Sequence, residues 1–248
     1  MTPLSLRVEP FSEPLAQRLA NSAANAPRIV LYWLGQAGFV LDLGSQRVLI
    51  DPYLSDSLAQ KYRGTHYAHQ RLMPAPIRPD EFTRLDLVLC THRHTDHMDP
   101  DTLSVLAKRF PKLRFVVPAA AQTEACQRAG VSPQRLLLAD AGKPLEIWPG
   151  LTLHPLAAAH ETFSINAAGQ HEWLGYVLDF AGYRVYHSGD GIPYPGLSES
   201  VTKLAPQLAL LPVNGRDAER NARGVPGNFT LDEAIDLSLR VKLDWTKG

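Results

Sequence analysis

The stretch Leu85-Asp86-Leu87-Val88-Leu89-Cys90-Thr91-His92-Arg93-His94-Thr95-Asp96-His97-Met98-Asp99-Pro100 decides the fold. Leu85 to Cys90 has the apolar density of a buried strand. A helix begins at the other end. Asp99 is placed to cap it, Pro100 suits its first turn, and Leu103, Leu106, Ala107 and Phe110 share one face. Between strand and helix, six residues hold three of the nine histidines of this 248-residue chain, plus an aspartate. Chance alone would place such an HxHxDH pattern somewhere in the chain with a probability of roughly 0.0007. Two histidines one residue apart, on a loop leaving a strand, can point at one ion. Asp96 and His97 follow on the next turn and can face a second. Neutral imidazoles and a carboxylate suit Zn(II), Mn(II) or Fe(II). The competing explanation is a polar loop with ordinary exposed histidines.

Outward from this segment the texture is short apolar runs punctuated by glycine. Upstream, strands are expected at Ile29–Leu34, Phe39–Leu43 and Arg47–Ile50, the third ending at Asp51-Pro52. Residues 53–83 show no periodicity and form an expected long loop, with Arg63, Arg71 and Arg78 in it. Downstream, strands are expected at Leu113–Val117, Arg135–Leu138, Leu145–Ile147 and Leu151–Leu156, with a short helix at Thr123–Ala129. Trp173–Phe180 and Tyr183–His187 flank Ala181-Gly182 as a hairpin, and Leu208–Leu211 is a buried strand. Thr230 and Glu233 make a capping-box pattern ahead of Leu231, Ala234, Ile235 and Leu239. This order predicts a sheet-rich α/β architecture with helices outside. Residues 1–27 form an expected N-terminal arm with a short helix, and 28–248 a single domain.

The chain carries 25 basic and 25 acidic residues, for a formal net charge of zero. No block of like charge appears. A general grip on nucleic acid or on an anionic membrane is not indicated. Cys90 and Cys126 form no CxxC pair, and Cys90 is expected to be a buried thiol. The start Met1-Thr2-Pro3-Leu4-Ser5-Leu6 lacks the basic and apolar regions of a signal peptide, and no apolar run approaches the ~20 residues of a membrane helix. The expectation is a cytoplasmic protein acting on a small molecule.

Thr91-His92-Arg93-His94-Thr95-Asp96-His97 resembles the signature of the metallo-β-lactamase fold superfamily. Leu49-Ile50-Asp51-Pro52, Ala159-His160-Glu161 and His187-Ser188-Gly189-Asp190 resemble its further motifs. More narrowly, Gly175-Tyr176-Val177, Leu211-Pro212-Val213-Asn214-Gly215-Arg216-Asp217 and Gly227-Asn228-Phe229 resemble the UlaG-like branch, typified by L-ascorbate-6-phosphate lactonase. The resemblance covers roughly residues 28–240 and implies an α/β sandwich, the αββα four-layer fold. It implies that His92, His94 and His160 hold one metal, that Asp96 and His97 hold a second, and that Asp190 bridges them. Asp51 would orient a ligand histidine. His66, His69, His154, His171 and His187 match no ligand pattern.

The implied reaction is hydrolysis by metal-bound hydroxide. Asp190 would hold the water and Asp96 would accept its proton. The implied cofactor is one or two divalent ions, Zn or Mn, with Fe as a further candidate. The implied substrate is a small anion such as a lactone or phosphorylated sugar lactone, with Asn214 and Arg216 as candidate contacts. A surface charge or structural ion pair is an equal explanation of Arg216. A phosphodiesterase or nuclease is the alternative within enzymes. The family pattern ends with a further histidine on a late strand, and no histidine follows His187. Three readings compete: a truncated chain short of the last strand, a site with one strong and one weak metal, and a ligand supplied by a neighbouring chain. Truncation or divergence with a weakened second site is the favoured expectation. A metal-binding scaffold of little activity is the reading outside enzymes. An unpaired sheet edge would favour homo-oligomers.

Overall fold

The computed structural model describes residues 7–22, 29–66 and 68–243. The expected arm therefore lies partly outside the described residues. The chain divides into two compact units. One holds residues 14–141 and 164–174, the other 1–13, 142–163 and 175–248. Each contains one sheet.

The first unit opens with α1 (Leu15–Asn21), whose Leu15 and Leu19 are buried in the core. Strands β1 (Val30–Gly35), β2 (Gly38–Asp42) and β3 (Arg47–Ile50) form an antiparallel meander. Their alternating apolar residues Leu34, Val40 and Leu49 enter the core. A short helix, α2 (Ser57–Lys61), follows. Then β4 (Leu87–Leu89), α3 (Pro100–Arg109), β5 (Arg114–Pro118), α4 (Gln122–Ala129) and β6 (Leu136–Ala139) alternate. Helical crossovers return the chain in the same direction, so β3 to β6 run parallel. The strand order is β1-β2-β3-β4-β5-β6. Helix α3 starts as expected, the Asp99 carboxylate accepting from the backbone N–H of Asp101 and Thr102.

The expected loop after β3 is less free than its composition suggests. Arg71 bonds the carbonyls of Leu34 at 2.9 Å, Tyr53 at 2.5 Å and Met73 at 3.1 Å. Ile77 and Phe82 are buried beneath it. The Arg71 guanidinium is thus a bolt between the loop, the β1–β2 turn and the end of β3.

The second unit holds β7 (Leu145–Trp148), β8 (Leu151–Ala157), β9 (Leu174–Phe180), β10 (Tyr183–His187), α5 (Leu197–Leu204), β11 (Leu208–Leu210), α6 (Ala218–Ala222) and α7 (Leu231–Val241). The strand order is β11-β10-β9-β8-β7. Ala181 and Gly182 turn the β9–β10 hairpin, both at positive φ, the conformation a two-residue hairpin favours. Helix α5 was not foreseen. It carries β10 over to β11, which therefore pairs parallel. Helix α7 shows the full Thr230–Glu233 capping box. Val177, Tyr186, Leu197, Val201, Phe229 and Leu237 form this unit's core. Both units are mixtures of sheet and helix, as the sequence predicts.

Candidate metal centre

Parallel pairing puts the ends of β3 and β4 on one edge of the six-stranded sheet, where α/β proteins place their sites. Asp51 leaves β3 there, and its N–H bonds Leu89 O at 2.8 Å. Thr91 leaves β4 beside it. The Asp51 carboxylate is fully buried and accepts three hydrogen bonds. One oxygen takes the Thr91 N–H at 2.7 Å. The other takes the Thr91 hydroxyl at 2.6 Å and His97 Nδ1 at 2.7 Å.

This arrangement fixes a tautomer. A carboxylate that already receives two protons from Thr91 wants a donor from the ring, so His97 carries its proton on Nδ1. Nε2 then bears the lone pair, as a metal ligand needs. His97 and His92 are both buried. Their ring centroids lie 4.0 Å apart, and those of His92 and His94 lie 4.6 Å apart. The turn that gathers them is closed by Met98 N–H to His94 O at 2.8 Å. Asp96 is partly open, one carboxylate oxygen 3.8 Å from His97 Nε2. Three imidazoles converge with a carboxylate at their rim and a buried carboxylate behind one of them. That donor set fits a borderline divalent cation.

His160 and Asp190 belong to the five-stranded unit. Ile192 N–H bonds Ala159 O at 2.8 Å, which sets the two segments side by side. Ligand atoms of His160 and Asp190 lie within 4.8 Å of each other. Gly191 N–H is held by Asn228 Oδ1 at 2.8 Å, and Gly227 N–H by Glu161 Oε1 at 2.9 Å.

The substrate residues fare differently. Asn214 is exposed. Arg216 places both ends of its fork on Glu233, at 2.6 Å each, and bonds Asn228 O at 3.1 Å. That pairing holds the Glu233 carboxyl down to about 2. Cys90 is buried beside the centre, and burial pushes its thiol well up, which makes it unreactive.

Two neighbours of the centre carried no sequence signal. Trp173 lies 6.0 Å from the His94 ring and 6.3 Å from that of His92. His69, which matched no pattern, has Nε2 3.9 Å from Asp96 and 3.2 Å from Gln36 Nε2. Thr91 was visible only as the residue preceding the motif.

A family model described as a β-lactamase superfamily domain matches residues 46–244. The chain belongs to that superfamily. A UPF0173 metal-dependent hydrolase of Saccharolobus solfataricus is 27% identical over 75% of this chain and 72% of its own length. One from Myxococcus xanthus is 27% identical over 83% of this chain and 68% of its own. Igni18, a metallo hydrolase of Ignicoccus hospitalis, superposes with a TM-score of 0.60 at 21% identity, over 86% of this chain and 78% of that one. The metallo-β-lactamase fold expected from the His92–His97 motif is therefore the fold of this superfamily member.

Proposed function

We propose that this protein is a metal-dependent hydrolase of small anionic substrates, of the UlaG-like lactonase kind. One observation carries the reading. The buried Asp51–Thr91–His97 network sets a histidine tautomer that serves a metal, on the same loop as His92 and His94. The names of the relatives support it.

In this reading His92, His94 and His160 would hold one cation, Asp96 and His97 would hold a second, and Asp190 would serve both. A divalent cation there supplies Lewis acidity, lowering the pKa of a water towards ~7 and polarising the attacked carbonyl or phosphoryl oxygen. Asp190 orients the attacking water. Asp96, partly open beside His97, accepts its proton. Asp51 keeps His97 from rotating and holds the neutral ring's proton on Nδ1, which leaves the Nε2 lone pair for a cation. A small-molecule substrate agrees with the neutral net charge. Among the described residues no helix is long and apolar enough to cross a membrane.

Elemental analysis of the purified full chain, with a panel of lactones, esters and phosphodiesters, tests the reading. The expected outcome is at least one Zn or Mn per chain, and turnover of a lactone that a chelator abolishes and added metal restores. Metal-replete protein that turns over nothing in the panel sinks it. Turnover confined to phosphodiesters moves the protein to the alternative class.

A further inference from the structure

The arginine expected to meet a substrate anion, Arg216, is held by Glu233, and Arg71 is held by three carbonyls. Arg93 differs from both. It sits between His92 and His94, its side chain is 50% exposed, and its nearest carboxylate oxygen, on Glu172, is 4.0 Å from Nη2. That separation is beyond hydrogen-bond reach. Among the described residues Arg93 makes no hydrogen bond. Its guanidinium carbon instead lies over the Trp173 ring, 6.0 Å from the centroid.

The shelf beneath it is built. Leu174 N–H bonds Thr91 O at 3.1 Å, which ties the Trp173 segment to the root of the ligand loop. Glu172 N–H bonds Ser164 O at 3.0 Å, and the Glu172 carboxylate takes the Ser164 hydroxyl, so it is held back from Arg93. The same indole ring neighbours His92 and His94. A cation resting on an aromatic face keeps its N–H edge available, and a guanidinium edge matches two oxygens of a carboxylate or phosphate.

We propose that Arg93, laid on Trp173, is the oxyanion fork of the substrate site. It would hold a carboxylate or phosphate group of the substrate about one indole width from the imidazoles. This deepens the hydrolase reading and rests on it, since it assigns the charge of that enzyme's substrate.

Binding by chelator-treated full-length protein tests the proposal without turnover. The probes are methylphosphonate and acetate, titrated separately. The reporter is the Trp173 indole NMR signal, identified among the four tryptophans by its loss in Trp173→Phe. The expected result is a saturable shift with at least one probe. Arg93→Met weakens it about tenfold or more, the scale of a charge-assisted pair, and Arg93→Lys has an intermediate effect. Glu172→Gln removes the competing carboxylate and tightens binding. The tighter probe tells whether the substrate bears a phosphoryl or a carboxyl group. No saturable shift with either probe, an Arg93→Met titration matching the wild type, or an unchanged affinity in Glu172→Gln overturns the proposal. Because no metal is bound, such a failure leaves the hydrolase reading standing. Conversely, a metal-replete enzyme without turnover leaves this anion site measurable.

Discussion

In the six-stranded unit the ligand loop is fastened through side chains. Asp51 accepts from Thr91 twice and from His97 once, and all three residues are buried. In the five-stranded unit the segments carrying His160 and Asp190 combine left-handed backbone with N–H groups held by the side chains of Asn228 and Glu161. Glu161 sits at φ +70° and Gly189 at +63°. Gly191 and Gly227 are gripped by their N–H groups. The difference teaches how each end will fail. A network of buried side chains is broken by exchanging one atom, because an unmatched donor there has no water to turn to. Where two backbones approach closely, added volume is what the segment does not accept.

The largest effect is expected from Asp51→Asn. Asparagine tolerates the φ of +44° at this position, so the backbone has no cause to move. The amide must keep its oxygen towards the Thr91 N–H, which sets its NH2 where two donors now bond. His97 can then only accept at Nδ1, its proton moves to Nε2, and the ligand lone pair is lost. Metal affinity should fall about 10–100-fold, the usual cost of removing such a partner. Metal titration followed by activity at saturating metal checks this. Wild-type affinity in the variant would remove the argument that Asp51 sets the tautomer.

How much of this was visible in the sequence follows the same division. The gathering of His92, His94 and His97 and the place of Asp51 beside them were legible because they are local, packed into six residues and one strand end. The strands around them were placed to within a residue or two, because each buried run is bounded by glycine, proline or charge. Trp173, Asn228 and Glu161 were not legible as parts of the site. Their roles arise from contacts between segments far apart in the chain, such as Gly191 with Asn228. Helix α5 was missed because it is one short amphipathic stretch, two of its residues buried, with no side-chain cap to announce it. Arg216 shows the limit most clearly. Its charge is in the sequence, but the Glu233 that occupies it is seventeen residues away.

An intermediate effect is expected from Gly175→Ala in β9. A Cβ there would lie 2.9 Å from Ser188 O and 3.1 Å from His187 O, both backbone atoms of the segment leading to Asp190. The added methyl must push that segment, at a cost of about 1–3 kcal/mol for overpacking. Catalysis should drop by about tenfold, since displacements of an ångström near a reacting group cost one to two orders of magnitude. The stability loss should be read by denaturant unfolding and the catalytic loss by kcat. An Asp51→Asn-like loss of metal affinity with unchanged stability would erase the contrast between the two ends.

The smallest effect should come from the Arg216–Glu233 pair, and pH exposes it. Glu233 has its pKa lowered from the ordinary 4.5 to about 2, chiefly by hydrogen bonds from Arg216. A folded-state pKa below the unfolded value means a contribution that is full above about pH 4.5. It fades as pH falls towards 2. Both side chains are 29% exposed, so screening limits the contribution to about 1 kcal/mol. Glu233→Gln isolates that charge, because glutamine still serves the capping box with Thr230. Thermal midpoints of wild type and variant should differ by a few degrees at pH 6, and the gap should narrow steadily as the pH falls from about 4.5 towards 2. A gap that stays constant across this range would show that the pair acts by shape, like the glycines around it, rather than by charge.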